Sequence, residues 1–572
     1  HPCFVLRTSS ESAMTSGIRL LVTAILLLPW ASALGWGQFA NVPDPVVGTG
    51  ATAITERIHV APNGIDTEPG TADRPKRSLR AALDAIPWPA SGALYAEIVL
   101  APGTYRSGLV MREEDWKRNG AERNVSIRGE GTVVIDAFAM PLVGTEGVIT
   151  VGGHHLRVSN INVRRSAVAG ITIAPHSHDV IVENVRVDTC VSHGIYVNLS
   201  RSVLVRNCEV VEACRYKIDA KDRSWGSCIK MLYSRDVIVR NCIVRDGWGE
   251  GINVNRTENV LVEGNTISNT FAGGVYVDMG AVVTVRGNLV YYDPADSSHW
   301  RFDVPSSGIS LSNELHCGFN VDCLDAIWTG TNDCRYTCTG LGCSYQARMN
   351  DSVEILNNIV LNANAAVEIF ELFNTDCFRT IRILHNTYAG STGKTRGSAL
   401  TVLLDMLVRE VRGIEIRGNL FLIDDTGIAA GMPACRFADN LLTPIRSEIR
   451  VRDNGWNVTP TCGLTDASDK LLSYRLAGID PSKLALIDPL VVPEIRMVIP
   501  NVTADRTDYY GRRRWSTTTA GAIHGLDPTS VNEDRSLEPG DDDPWVGYDL
   551  LGRECARGVG PHVTVPGHRG PL

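Results

Sequence analysis

The chain has 572 residues, 44% hydrophobic and 21% charged, so wholesale disorder is excluded. Its formal charge of −9 weighs against a nucleic-acid partner, which wants a basic surface. No apolar stretch approaches the roughly 18 residues of a membrane-spanning helix. The basic residues are lopsided, with 8 Lys among the 55 Lys and Arg.

In chain order, the first signal follows Met14. Arg19 precedes an apolar run over 20–28, and Ala31-Ser32-Ala33 follows. A charged start, a short apolar core and an A-x-A site predict a cleaved secretory signal within 1–35, hence an extracellular or periplasmic protein. Next comes a strand, a Gly/Pro-rich turn, a short amphipathic helix near 78–86 and a second strand in "AEIVLAPGTYR".

Repeats follow. Segments starting at Gly147, Gly170, Gly194, Cys228, Gly251, Gly274 and Gly308 align as G-I-x-V, a polar stretch, then V-x-V-x-N. The clean steps are 23 residues (147 to 170), 24 (170 to 194) and 23 again (228 to 251, 251 to 274). Each copy holds short alternating runs between turns, with no helical period. One copy buries no apolar face alone, but a stack builds a continuous Val/Ile core. A turn of about 22–25 residues with three strands predicts an all-β, single-stranded right-handed parallel β-helix, since a propeller blade needs about 40–45 residues. Asn265, Asn288, Asn358, Asn386 and Asn419 share one register, with Cys208 and Cys242 in the same slot. Identical amides one coil apart predict a hydrogen-bonded ladder, and the two thiols stack as small apolar groups. The repeat domain is expected over 57–526, with a disordered tail over 527–572 rich in Pro, Gly and Asp.

Export makes disulfides possible for the 15 cysteines. Cys317, Cys323, Cys334, Cys338 and Cys343 are read as a stapled loop. A zinc site is the alternative, but the spacing lacks paired C-x-x-C. Cys214 and Cys228 flank an insertion that a disulfide would close. Sequons stand at Asn124, Asn198, Asn255, Asn350, Asn457 and Asn501.

The opening strand–turn–helix–strand, the repeats and the closing "DRTDYYGRRRWSTTTAGAIHG" resemble secreted pectin-lyase-like β-helix proteins. That group holds pectate lyases, alginate lyases, chondroitinase B-type lyases and mannuronan C5-epimerases. The resemblance implies a helix capping the solenoid end and activity on an acidic polysaccharide. As one fold hosts many activities, it does not fix the reaction. The Asp-Pro-His signature of mannuronan epimerases is absent, and "DPADSSHW" is no substitute. The paired aspartates of polygalacturonase-like hydrolases and the aspartate cluster of the pectate lyases do not align either.

Outward positions of the G-I-x-V-x strand read Thr172, Tyr196, Lys230, Asn253, Tyr276, Ser310 and Glu368 at the first x. The second x gives Ala174, Asn198, Leu232, Asn255, Asp278 and Ser312. His193, Ser227, Glu250 and Gly273 precede the glycine or its equivalent. A solvated ladder is one reading. The other is a groove walled by the insertions 215–227, 291–307 and 313–349. From Arg215 to Lys230 there are five basic and two acidic residues, a local balance of +3 that suits an anionic glycan.

Removing the C5 proton of a uronate needs a base, a carboxylate neutraliser and an acid. Lys230 is the candidate base, with His193 as rival. Arg215 or Arg223 is the neutraliser, and Tyr196 or Tyr276 the acid. Asn253, Asn255, Trp225, Trp248, Lys217 and Lys221 are candidate substrate contacts. Relatives in the group often use Ca²⁺, and Glu250 and Asp278, with the two asparagines, are hard-oxygen candidates for it. The protein is expected to act as a monomer. The alternatives are a non-catalytic β-helix that binds glycan or protein, and a glycoside hydrolase using a carboxylate pair.

Overall fold

The structure is a computed structural model. It describes residues 40, 42–138, 140–142, 146–215, 226–293, 296–300, 304–313, 351–371, 377–384 and 386–389, then separate short strands out to Glu554–Cys555. All of these lie in one compact unit spanning 39–572.

Three sheets of 14, 12 and 12 strands stack in sequence order, each strand pairing in parallel with its equivalent one coil on, except Lys117–Arg118, which pairs antiparallel with Ala121–Gly129. The first sheet runs from Glu56–Val60 through His154–Ser159 and His178–Glu183 to Cys435–Ala438. The second runs from Gly103–Tyr105 to Leu441–Leu442, and the third from Leu109–Val110 to Arg450–Val451. The predicted parallel β-helix is therefore present over these coils. The rest of the expected 57–526 range, and the expected tail, lie outside the described residues apart from two short antiparallel pairs.

The coil follows from two local rules. Strand alternation sends Val and Ile inward, so Val182, Val205, Val239, Val262 and Val285 are fully buried in successive coils. At each corner a residue adopts positive φ, and Asn or Gly supplies it cheaply. Asn184, Asn207, Asn241, Gly264 and Gly287 occupy one such corner, at φ between 52° and 63°.

Beside that corner the asparagine ladder forms as predicted. The amide Nδ2 of Asn265 donates to Asn288 Oδ1 (2.9 Å), Asn288 to Asn358 (2.9 Å) and Asn358 to Asn386 (3.0 Å). Asn419 lies outside the described residues. Cys208 and Cys242 fill the same slot, buried and free.

The cysteine pair flanking the insertion departs from expectation. Cys214 and Cys228 are free thiols. Both are buried in the coil interior, where Cys214 is hydrogen-bonded to Cys228 and packs under Gly226 and Gly249. They act as small apolar filling rather than as a clasp. The cluster Cys317 to Cys343 lies outside the described residues.

The helix predicted near 78–86 spans Leu79–Ala85. The Ser78 hydroxyl accepts the Ala81 N–H at its start, and Leu79, Ala82 and Leu83 are buried. At its other end the Arg123 guanidinium donates to the Leu83 and Ile86 carbonyls (both 2.9 Å), a cation where the helix dipole favours one.

Candidate functional site

The third sheet carries the residues singled out in sequence. Its inward side chains, Ile195, Val197, Ile229, Met231, Ile252, Val254, Val275 and Val277, are fully buried and fix the strands against the core. Its outward rows match the predicted alignment. Thr172, Tyr196, Lys230, Asn253, Tyr276, Ser310 and Glu368 pair one to the next. Asn198, Leu232, Asn255, Asp278 and Ser312 form the second row.

The solvated-ladder reading does not describe these rows. Tyr196 is 4% exposed, Asn253 2%, Tyr276 8% and Asp278 2%. Lys230 is half-buried between Tyr196 and Asn253. The Ser312 hydroxyl donates to the Tyr276 phenol (2.7 Å), and Asn255 Nδ2 donates to Asp278 (3.1 Å). Among the described residues, Asn253 Oδ1 and Asn255 Oδ1 are buried without a hydrogen-bond partner. Ser307 bridges Ser310 (2.7 Å) and Glu368 (2.8 Å), and burial raises the Glu368 pKa. Burial also pushes the Tyr196 phenol upward, so it stays protonated.

His193 packs against Tyr196, ring centroids 4.8 Å apart. Its Nδ1 accepts the Ser227 N–H (3.1 Å), which assigns the neutral ring's proton to Nε2. Burial first, and the Lys230 charge second, draw its pKa down to about 3. With its lone pair occupied, His193 presents a donor. The expectation of His193 as rival base is thereby corrected.

Glu250 and Asp278 do not share an ion. Ser227 pairs with Glu250 and Asn255 with Asp278, which puts the two acids at opposite ends of the strand, about 16 Å of extended backbone apart. Glu250 instead accepts the Ser227 hydroxyl (2.8 Å). Glu250 and Asp278 therefore cannot ligate one ion together. The same separation exceeds the roughly 5–9.5 Å of a hydrolase carboxylate pair.

The rim beside His193 and Glu250 holds residues that sequence reasoning missed. Glu212 accepts from Arg215 (2.9 Å) and from the Trp248 indole (3.1 Å), and lies 3.5 Å from His299 Nε2. Trp248 packs on His299 at 4.5 Å, and His299 is 4% exposed. Arg215 therefore has a carboxylate partner already, and Trp248 is held in the rim rather than presented as an open platform. A histidine and a tryptophan, His299 and Trp300, inside an insertion that breaks the repeat were the available signal. Lys217, Lys221, Arg223 and Trp225 lie outside the described residues.

A family model described as a right handed beta helix region matches residues 105–224 and 217–314. With three parallel sheets wound coil by coil, the chain is a right-handed parallel β-helix protein. No curated protein matches the sequence. Among solved structures, the surface adhesin PfbA of Streptococcus pneumoniae is similar at 12% identity, over 61% of this chain and 82% of that chain, with a TM-score of 0.43. A rhamnogalacturonan lyase is similar at 13% identity, over 72% and 98%, with a TM-score of 0.41. Pectate lyase Pel9A is similar at 14% identity, over 83% and 97%, with a TM-score of 0.36. Likenesses at these values decide nothing about activity.

Proposed function

We propose that the chain is an exported carbohydrate-active protein, a lyase or epimerase that takes the C5 proton of a uronate in an acidic polysaccharide. The observation that carries this reading is the placement of Lys230. It stands half-buried in one register row, with the Tyr196 phenol one coil before it and the Asn253 amide one coil after it. The run over 20–28 with Ala31-Ser32-Ala33 supports export.

Lys230 is assigned as the base that accepts the C5 proton, and the electron pair passes into the adjacent carboxylate. In a lyase the C4–O4 bond then breaks, and the oxygen leaves with the proton of Tyr196 or Tyr276, forming an unsaturated uronate. In an epimerase Tyr196 or Tyr276 delivers its own proton to C5 from the opposite face, and Lys230 keeps the one it took. His193 Nε2–H and Asn253 donate to the substrate, and the basic residues of 215–223 attract its charge.

Absorbance of unsaturated uronate on a panel of alginates, pectins and glycosaminoglycans tests the lyase, and exchange of the C5 proton with solvent deuterium tests the epimerase. Turnover by the wild type that disappears in Lys230→Ala supports the reading. Binding to a glycan without either reaction leaves the non-catalytic reading standing. Release of reducing ends without unsaturation points to hydrolysis.

A further inference from the structure

We propose that a second site, on the first sheet, binds a d-block divalent cation of the Zn²⁺ class through His155, His178 and Asp179. It lies two to three coils before Lys230, at the corner where the chain leaves the third sheet. The sequence places "HH" and "HD" at equivalent points of successive coils, and the register pairs His154 with His178. His155 and Asp179 therefore occupy the same corner position, and both adopt positive φ, 56° and 54°.

The donors converge. Asp179 Oδ2 lies 2.7 Å from His178 Nδ1 and 3.8 Å from His155 Nδ1. One donor atom from each of the three lies within 4.8 Å of the others. In a tetrahedral zinc site with bonds of about 2.1 Å, donors stand roughly 3.4 Å apart. The two measured distances fall on either side of that value. Asp179 Oδ1 is held by the Ser202 hydroxyl (2.7 Å), which orients the carboxylate as an outer-shell partner does. The His178 ring is held flat against His154, centroids 3.7 Å apart. Two imidazoles and one carboxylate favour a borderline cation over Ca²⁺ or Mg²⁺, which want oxygen donors throughout.

The later coils argue for a local device. The same corner carries Ser202, Asp236, Asn259 and Val282 further along, so the imidazole is not a requirement of the turn. The ion would take the place of the proton shared by His178 and Asp179. It would also take His155 Nδ1 from the Val46 carbonyl, to which it lies at 3.0 Å. Ion binding thus releases the chain segment near Val46 from this corner.

The test uses the full chain, stripped with chelator and titrated with Zn²⁺ by calorimetry, then loaded with Co²⁺ for its visible spectrum. The expected result is one ion per chain and the intense absorption of tetrahedral Co²⁺. His155→Gln and Asp179→Asn, each checked for native circular dichroism, weaken binding at least about tenfold. His299→Ala, in the separate Asp246/Asp296/His299 group, leaves it unchanged. Absence of binding, an octahedral Co²⁺ spectrum, equal affinity in the corner variants, or loss in His299→Ala overturns the proposal.

Discussion

Two polar columns climb the same coils and share almost nothing else. At one corner, Asn265, Asn288, Asn358 and Asn386 repeat a single side chain, each amide bonded to the next and to a backbone carbonyl. On the outer face of the third sheet, Tyr196, Lys230, Asn253 and Tyr276 change side chain at every step, and among the described residues Asn253 Oδ1 has no partner. A column that serves the fold has no reason to vary, because each rung meets the same neighbours. A column that varies while still buried is not explained by the repeat, and the proposed function assigns it to a substrate. Reagents that disturb one column and not the other break or sharpen that distinction.

The largest effect is expected at Lys230. Lys230→Ala lowers turnover by about 10²–10⁴-fold, the range for loss of a general base, with the thermal midpoint unchanged. Lys230→Arg does not restore it, because a guanidinium does not give up its proton. A variant that keeps full turnover removes Lys230 from the chemistry and assigns the row to binding.

In the other column Asn288→Ala does the reverse. Asn288 accepts from Asn265 N and Nδ2, and donates to the Val262 carbonyl and to Asn358. Removing it strands these buried groups at a cost of about 3 kcal/mol or more, read by denaturant unfolding. A cost below about 1 kcal/mol makes the ladder ornamental.

Acid separates the columns further, since amides do not titrate. His193 is drawn to about 3, below its ordinary 6.5, by burial and then by Lys230. Keeping it neutral stabilises the fold fully above pH 6.5, and this contribution is lost as pH falls toward 3. By pH 4 the loss is on the order of 3 kcal/mol, and His193→Gln removes that part of the slope. Parallel acid curves for the two proteins show that the imidazole is not buried neutral.

The sequence made the repeating column legible because repetition is itself the signal. Spacing and pattern gave the coil, the asparagine register, a helix near 78–86 and the outward rows as far as Glu368. They gave less where side chains meet across the repeat. Nothing in the spacing shows that Ser227 N–H occupies His193 Nδ1, or that Glu212 gathers Arg215, Trp248 and His299 from three different turns. The Glu250/Asp278 pairing failed for a related reason. The two acids lie on adjacent coils, but position along the strand separates them by about three times the coil spacing.

The smallest effect is the sharpest test of the ladder, and it lies where the ladder stops. Cys242 occupies the asparagine slot, and its backbone N–H donates to Asn265 Oδ1 (2.9 Å). Its thiol reaches toward the Val205 carbonyl at 3.8 Å. That carbonyl is the equivalent of the Val239 carbonyl to which Asn265 Nδ2 donates at 3.0 Å. Cys242→Asn therefore supplies a stronger donor to an acceptor already in place, and an Oδ1 for the backbone N–H of Cys208. The one conflict is the Cys208 thiol, coupled to Cys242 by a hydrogen bond of its own. If the slot is defined by the corner and not by the thiols, Cys242→Asn changes stability by no more than about 1 kcal/mol, in the stabilising direction. Cys242→Asp, which puts a charge in the same shape, destabilises by several kcal/mol. Equal losses in the two variants show that the slot at Cys242 is shaped for sulfur, and that the ladder ends there for a packing reason rather than by accident of sequence.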